Sequence, residues 1–218
     1  MEKARNRAGR GLLISIEGGE GAGKTTAALA VKEKLAAAGI PVIYTREPGG
    51  IAIAEQIRDV LLDPANTEMD PLTEAVLYAA SRRQHLVQKV IPALEEGKVV
   101  LCDRFLDSSL AYQGKARNLG MERILRLNEM VLEDTMPDHT FYLVIDPEEG
   151  LKRASARGEL NRLDQEALAF HELVKAGYDE AAALFPERIE KIDATRDPET
   201  LANELSEKIE ALWKAKNA

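Results

Sequence analysis

Residues 18–25 of the chain are Gly18-Gly19-Glu20-Gly21-Ala22-Gly23-Lys24-Thr25. This segment matches the phosphate-loop pattern G-x-x-x-x-G-K-[ST]. An apolar run with β propensity, Leu12 to Glu17, precedes it, and an Ala-rich run with helical character begins at Lys24. A strand, a Gly-rich loop and a helix in this order predict the first unit of an α/β fold.

The chemistry of this loop is that of a phosphate cradle. Its glycines let successive backbone N–H groups point at phosphate oxygens, and the N-terminus of the next helix adds positive charge. In this pattern Lys24 reaches the β- and γ-phosphates and Thr25 ligates Mg²⁺. A Gly-rich turn that only caps a helix is the alternative, and it does not require the complete pattern. The predicted ATP contacts are Gly18, Gly19, Glu20, Gly21, Ala22, Gly23, Lys24, Thr25 and Thr26.

Short β-rich runs alternate with longer runs of helical periodicity along the chain. The predicted strands are Leu12 to Glu17, Val42 to Arg46, Val99 to Asp103, Thr140 to Ile145 and Ile189 to Asp193. The predicted helices are Lys24 to Ala38, Ile51 to Leu62, Pro71 to Leu94, Met121 to Leu132, Pro147 to Arg157, Leu163 to Leu184 and Pro198 to Lys216. This alternation predicts an α/β fold with a five-stranded parallel sheet flanked by helices.

Size and composition limit the possible partners. A chain of 218 residues with 45% apolar content can bury one sizeable core, so we predict one domain over residues 12–218. Residues 1–11 are basic and precede an apolar run too short for a signal peptide or a membrane span, so we expect a disordered leader. A net charge of −8 gives no overall attraction for nucleic acid or an anionic membrane. The single Cys102 excludes an internal disulfide and favours the reducing cytoplasm.

A second group of charged residues follows the other predicted strands. Asp103 ends the third strand, where an acid can complete the Mg²⁺ shell beside the phosphate loop. Arg104 carries a planar fork suited to an acceptor phosphate, and Arg46 or Arg58 could join it. The alternatives are a strand-terminal Asp that caps a helix and solvated surface arginines. A second phosphate site would separate a monophosphate kinase from an ATPase, whose acceptor is water.

Phosphate loops also occur in GTPase switches and in motor or transport ATPases, so the loop alone does not define an activity. A GTPase switch usually carries the guanine-binding segment N-K-x-D, and the sequence contains no such string. A kinase for a small phosphate acceptor is therefore favoured over a nucleotide-dependent switch.

Four ordered segments closely resemble bacterial thymidylate kinases. They are IEGGEGAGKTT at Ile16 to Thr26, TREPGG at Thr45 to Gly50, CDRF with the following SSLAYQG through Gly114, and GLKRASARGELNRLDQE at Gly150 to Glu166. The resemblance runs from Leu12 to about Trp213. It implies a P-loop kinase core, a mobile Arg-containing lid at about residues 150–166 and a homodimer. It also implies transfer of the γ-phosphoryl group from ATP to dTMP with Mg²⁺, a step in dTTP synthesis; a kinase for another monophosphate is the alternative.

The resemblance also assigns residues to dTMP. Tyr78 lies where the family has a Phe that stacks on thymine, and Arg82 lies where an Arg hydrogen-bonds the base. The two are i and i+4 on one predicted helix and so share a face, although an aromatic core residue beside an exposed Arg would give the same spacing. Tyr112 would crowd a ribose 2′-hydroxyl. The full predicted dTMP set is Glu20, Arg46, Pro48, Arg58, Tyr78, Arg82, Arg104, Ser108, Ser109, Tyr112 and Gln113.

Catalysis is expected to depend on cations from the lid. The variable positions of the phosphate loop contain no cation, as in the bacterial subclass whose lid carries the catalytic arginine, although three arginines near a helix end are also typical of a solvated face. Predicted catalytic residues are Lys24, Arg104, Arg153, Arg157 and Arg162, and predicted metal ligands are Thr25 and Asp103. The sequence departs from the family pattern at Tyr78, at Asn161 in place of a frequent Asp, and at Asp164 in place of a frequent Glu.

Overall fold

The centre of the fold is a five-stranded, all-parallel sheet, in a computed structural model that describes residues 10–156 and 161–217. The strands are β1 (Leu13–Glu17), β2 (Val42–Arg46), β3 (Val99–Asp103), β4 (His139–Val144) and β5 (Ile189–Asp193). Their spatial order is β2-β3-β1-β4-β5. The predicted five-stranded parallel sheet is thus confirmed, with the first and fourth strands shifted by one residue from their predicted limits. Parallel strands place all their carboxyl ends at one edge, and ligands of such folds bind there.

Helices cover both faces of this sheet. They are α1 (Lys24–Ala37), α2 (Ala52–Leu62), α3 (Pro71–His85), α4 (Ile91–Glu95), α5 (Leu106–Ser109), α6 (Met121–Leu132), α7 (Pro147–Ser155), α8 (Leu168–Leu184) and α9 (Pro198–Asn217). Two π-helical segments, Leu86–Val90 and Leu110–Ala116, continue α3 and α5. In the described part of the chain, none of these helices has the length and apolarity needed to cross a membrane.

The helices differ most from the prediction at three places, which are two predicted helices and one helical stretch that was not predicted. The helix predicted from Pro71 to Leu94 widens into a π-helical turn just before Pro92, whose ring nitrogen cannot donate a backbone hydrogen bond. The helix predicted from Leu163 begins only at Leu168. The Asn161 side chain accepts hydrogen bonds from the backbone of Leu163 and Asp164, and this turn competes with helix formation.

The third error is the helical stretch 106–116, which the sequence did not predict. Its sequence, LDSSLAYQGKA, contains two serines and a glycine, which are weak helix formers. Tertiary contacts hold it instead. Nη1 and Nη2 of Arg188 each donate to the buried carboxylate of Asp107 at 2.7 Å, and the Thr140 hydroxyl donates to the same carboxylate at 3.1 Å. These contacts fix the start of the stretch to β4 and to the segment that leads into β5.

Alternate residues of the strands belong to two hydrophobic cores, one on each face of the sheet. Leu13, Val100 and Cys102 pack toward one face of the sheet, beneath α3, α6 and α8. Ile14 and Leu101 pack toward the other face, beneath α1 and α9. This alternation is the period-2 geometry of a strand, applied to runs that are apolar at nearly every position. Because both faces are covered, the central strands β1 and β3 are buried along their whole length.

Helix α8 packs unusually close to the π-helical segment Leu110–Ala116. A Cβ atom added at Gly177 would lie 2.7 Å from Ala111 Cα and 2.8 Å from Lys115 Cβ. Only glycine permits this separation between the two backbones. The packing matters for function because the same segment carries Tyr112 and Gln113.

Gly177→Ala is therefore expected to destabilise the protein by about 1–3 kcal/mol through overpacking. At a helical position with free space, Gly→Ala would instead stabilise the protein by up to about 1 kcal/mol. The sign of the change in the free energy of unfolding therefore distinguishes overpacking from helix propensity. Urea unfolding followed by circular dichroism measures the difference. The exposed neighbour Ala176, changed to Gly, reports helix propensity alone. A Gly177→Ala protein as stable as the parent would contradict the close packing.

Candidate active site

The phosphate loop lies between β1 and α1, at the carboxyl edge of the sheet. Gly21 has φ of +68°, and a Cβ atom there would lie 1.9 Å from the carbonyl oxygen of Gly150 in α7. Gly150 has no room either, because its Cβ would lie 2.3 Å from the carbonyl oxygen of Glu20. The loop and the first turns of α7 thus touch backbone to backbone, and this contact explains both glycines. The positive φ of Gly21 is a second reason for glycine at that position.

Lys24 is buried at the start of α1, and its Nζ donates to the carbonyl oxygen of Gly19 at 2.7 Å. Burial, and then the positive charge of Arg104, lower the pKa of Lys24 to about 8. An anion placed in the loop would favour the protonated amine. The hydrogen bond to Gly19 O holds the Lys24 amine inside its own loop. The nearby carboxylates offset only part of the effect of burial and of Arg104 on this amine.

Thr25, in the first turn of α1, contacts Asp103 at the end of β3. The Thr25 hydroxyl donates to Asp103 Oδ2 at 2.5 Å, and the Tyr44 hydroxyl lies 3.5 Å from the same oxygen. Hydroxyl and carboxylate oxygens are the hard ligands that Mg²⁺ prefers, and two of them here already lie at the spacing of neighbouring ligands. The donor set fits a magnesium ion that completes its shell with water and phosphate oxygens.

A single cleft of about 980 Å³, including the space open to solvent, brings the predicted residues together. Its walls contain every residue that was predicted to contact dTMP, and also Lys24, Thr25, Thr26 and Asp103. Further wall residues that the sequence did not suggest are Glu47, Leu62, Phe105, Asn161 and Leu163. The cleft joins a triphosphate loop to a second, separate set of cations.

Arg104 lies at the junction of these two regions. Its φ of +67° is rare for a residue with a side chain and turns the arginine back over the phosphate loop. Its guanidinium donates to Glu20 Oε1 at 2.5 Å, to Gly18 O at 3.1 Å and to the Tyr178 hydroxyl at 3.2 Å. This network leaves the guanidinium on the wall of the cleft with a fixed orientation.

Glu20 faces this arginine rather than the floor of the phosphate loop. Burial alone would raise the pKa of Glu20, but Arg104 and Lys24 lower it to about 2. The carboxylate is therefore charged throughout the neutral range. It also accepts a hydrogen bond from the Tyr112 hydroxyl at 3.0 Å.

Arg46 and Arg58 converge on one backbone oxygen. Their guanidinium groups donate to Pro48 O at 2.8 and 3.0 Å, and Arg46 also pairs with Glu55 at 2.9 Å. Burial and the neighbouring charge of Arg46 lower the pKa of Arg58. Two cations brought this close, with one carboxylate between them, form a site that an anion would stabilise.

Arg82 is held by a buried network on the wall opposite the phosphate loop. Its Nε donates to Glu47 at 2.7 Å, Nη1 contacts Ser109 at 3.0 Å and Asn128, and Nη2 donates to Phe105 O at 2.8 Å. A guanidinium has five N–H donors, and these contacts occupy four of them. Among the described residues, the second donor of Nη2 has no partner, and Arg82 lines the cleft.

Comparison with known proteins finds relatives that match most of the chain. The model of the family described as "Thymidylate kinase" matches residues 16–205. The chain belongs to the thymidylate kinase family. It is 57% identical over 207 residues to the thymidylate kinase of Bacillus velezensis, covering 94% of this chain and 98% of that protein. It is 58% identical over 189 residues to that of Halalkalibacterium halodurans, covering 86% and 90%. The relative from Clostridium novyi is 52% identical over 198 residues, covering 90% and 97%.

The predicted lid arginines lie apart from the cleft where they are described. Arg153 is a partly exposed residue of α7 that donates to Glu149 at 3.0 Å and to Ala194 O at 3.3 Å. Arg162 is buried and donates to Glu74 at 2.6 Å. Neither side chain lines the cleft. Arg157, the third predicted lid cation, lies outside the described residues.

Two buried acids beside the cleft escaped the sequence analysis. Glu17 accepts hydrogen bonds from Phe105 N at 2.7 Å and Ser108 Oγ at 2.5 Å, and burial and the charge of Asp107 raise its pKa to about 7. Glu47 pairs with Arg82 and His85, 2.7 and 2.9 Å away. Glu17 lies in the segment Ile16 to Thr26, and Glu47 lies in the segment Thr45 to Gly50. Membership of these two motifs is the only sign of their roles that the sequence contains.

The Glu47–Arg82 pair gives a stability prediction. Glu47→Gln leaves a buried guanidinium without its counter-charge, and we expect a loss of about 3–5 kcal/mol in the free energy of unfolding. Burial raises the pKa of Glu47, but Arg82 and His85 lower it below its usual value. The stabilisation is therefore present above the unfolded-state pKa and is lost as the pH falls through the lower, folded-state pKa.

Urea unfolding at neutral pH and at pH about 4 measures both effects. The matched control is Glu122→Gln, which removes an exposed arginine pair on α6 and should cost about 0–1 kcal/mol. Equal losses for the two variants would contradict the assigned role of the buried pair.

Proposed function

We propose that the chain transfers the γ-phosphoryl group of ATP to dTMP, giving dTDP and ADP, in the synthesis of dTTP. The observation that carries this proposal is the single cleft that joins a phosphate loop to a second cluster of arginines and to an aromatic wall. An ATPase needs no second anion site, because its acceptor is water. The names of the relatives, all thymidylate kinases, support dTMP as the acceptor.

The acceptor phosphate would lie among Arg46, Arg58 and Arg104. All three guanidinium groups line the cleft. Binding there would relieve the repulsion that lowers the pKa of Arg58. It would also bring the acceptor oxygens to the junction between the two halves of the cleft, where Arg104 reaches the phosphate loop through Gly18 O.

The base would lie between Tyr78 and Arg82. Tyr78 has a large aromatic face on the cleft, and burial together with the charge of Glu74 raises the pKa of its hydroxyl, so it remains neutral. The free Nη2 donor of Arg82 would address a carbonyl oxygen of thymine. Tyr112, fixed by its hydroxyl on Glu20, would occupy the space that a ribose 2′-hydroxyl needs.

The chain's contribution to the reaction is positioning and charge neutralisation. A phosphate monoester is mostly a dianion at neutral pH, so its oxygen can attack in line without a catalytic base. Lys24 would hold the β- and γ-phosphates, and Arg104 would neutralise charge between the two substrates. Thr25 and Asp103 would hold Mg²⁺, which supplies further charge neutralisation when bound. Arg153, Arg157 and Arg162 stay candidates for the lid cation, although the position of Arg162 favours a structural role.

ADP release measured against a panel of dTMP, dUMP, UMP, CMP, AMP and GMP tests this function. We expect turnover with ATP and Mg²⁺ that depends on the acceptor and is fastest with dTMP. Preference for another monophosphate would keep the kinase and overturn the base site. ADP release that is independent of any acceptor would indicate an ATPase or a switch instead.

The pKa of Lys24 gives a pH prediction for nucleotide binding. ATP binds the protonated amine, so its affinity should be constant below the free-enzyme pKa of about 8 and fall as the pH rises above it. The expected loss is roughly tenfold between about pH 7.5 and pH 9. Titration calorimetry with ATP measures it. Lys24→Arg stays charged over this range and should remove the pH step; a step of equal size in that variant would assign the titration to another group.

We propose further that the protein is a cytoplasmic homodimer. Helix α3 packs against both α2 and α6, so the three form one side of the molecule. Exposed apolar side chains on that side are Ile53 and Val60 on α2, Leu72 and Val76 on α3, and Met130 on α6. A soluble monomer rarely exposes so many apolar groups on one side, and a second copy would cover them.

Val76→Glu should therefore convert the dimer to a monomer. The charge would be buried unpaired, twice, in a symmetric interface. Light scattering coupled to size-exclusion chromatography should show 24.0 kDa for the variant and twice that mass for the parent. Leu184→Glu, at an equally exposed apolar position on α8, is the control and should stay dimeric. A dimeric Val76→Glu protein would place the interface elsewhere.

A further inference from the structure

Glu74 is a buried carboxylate that the proposed chemistry does not use. It lies in the first turn of α3 with 1% of its surface exposed. Three side chains donate to it: Gln113 at 2.7 Å, Arg162 at 2.6 Å, and Arg117 at 3.3 and 3.4 Å. These donors come from the wall of the cleft, from the segment that precedes α8 and from the loop before α6. One acid thus connects three separate parts of the chain.

The contact with Gln113 fixes the orientation of an amide on the cleft wall. A carboxylate has no hydrogen to donate, so it can only accept, and Gln113 must turn its NH₂ group toward Glu74. The carbonyl oxygen of Gln113 then lies on the other branch of the amide and remains available as an acceptor. With a neutral, two-sided partner in place of Glu74, the amide could adopt either orientation.

The contact with Arg162 fixes the rim of the same cleft. Asn161 and Leu163 line the cleft, whereas Arg162 between them turns away to Glu74. Arg162 Nε donates to Leu61 O at 3.0 Å, and its backbone N–H donates to Leu62 O at 3.2 Å. The segment is therefore fastened to the end of α2 and to α3. Arg117 extends the network, since it also pairs with Glu166 at 2.6 Å.

We infer that Glu74 is a positioning residue that sets the specificity of the acceptor site, an inference that rests on the proposed function. It orients Gln113 so that a carbonyl oxygen faces the base, and it anchors the 161–163 rim through Arg162. Thymine carries an N–H donor at N3, whereas cytosine carries an unprotonated acceptor nitrogen there. A fixed carbonyl oxygen therefore favours dTMP and repels the N3 lone pair of dCMP. A site built to accept one hydrogen rejects the analogue that lacks it.

Glu74→Gln tests this inference. The side-chain amide of this variant can donate as well as accept, so it no longer fixes the orientation of the Gln113 amide. Arg162 also loses the negative charge with which it pairs. We expect the ratio of kcat/KM for dTMP to that for dCMP to fall by about tenfold or more, the effect of one hydrogen bond in a buried site. KM for dTMP should rise, while KM for ATP stays within about twofold because the phosphate loop is unaffected.

Arg162→Gln separates the two parts of the mechanism. It loosens the rim but leaves the carboxylate facing Gln113, so KM for dTMP should rise without a change in the dTMP to dCMP ratio. The matched control is Glu204→Gln, which removes a carboxylate held by Arg196 and Lys208 on the far side of the fold and should change neither quantity.

The outcomes distinguish the inference from the function on which it rests. A parent protein that does not phosphorylate dTMP overturns the proposed function. An active parent with a folded Glu74→Gln variant of unchanged dTMP to dCMP ratio overturns the inference, and so does a variant that only loses thermal stability. If Glu74→Gln does not fold, Glu74→Asp keeps the charge but cannot reach Gln113 and Arg162 together; an unchanged ratio in that variant is equally contrary.

Discussion

The parallel pairing of β1 with β3 is the constraint on which the rest of the site depends. It sets Ile16 opposite Asp103, so the phosphate loop and the acidic strand end begin at the same height on the sheet. Arg104 N then donates to Ile16 O at 3.0 Å, and Thr25 reaches Asp103. The neighbouring strand β2 adds Arg46, also in register with Asp103. A shift of one residue would turn each of these side chains to the other face of the sheet.

Buried ions are the means by which the cleft keeps its shape. Two ion pairs join residues of its walls, Arg104 to Glu20 and Arg82 to Glu47, and a third joins Arg162 to Glu74, which holds the wall residue Gln113. Such pairs add little to stability compared with an apolar core, because both ions lose their water. They do fix the direction of each guanidinium before any ligand arrives. When the donors of an anion site are already oriented, binding of the anion requires less reorganisation free energy.

Close backbone contact connects the phosphate loop to α7. Gly21 and Gly150 leave no space for a side chain between the loop and this helix. A shift of α7 must therefore move the loop or break the contact. This steric link offers a physical route by which nucleotide in the loop can influence the position of α7.

The phosphate loop, the five strands and the residues that directly follow them were predictable from the sequence alone. These features depend on neighbours in the chain, on turn residues and on hydrophobic period, so they can be recognised without a fold. The buried partners that surround them became visible only in the folded chain. Glu17, Glu47, Glu74 and Asn128 are ordinary polar residues in sequence, and they acquire roles through contacts with residues that are distant in the chain. The helical stretch 106–116 likewise follows from packing against α8 and overrides its own weak propensity.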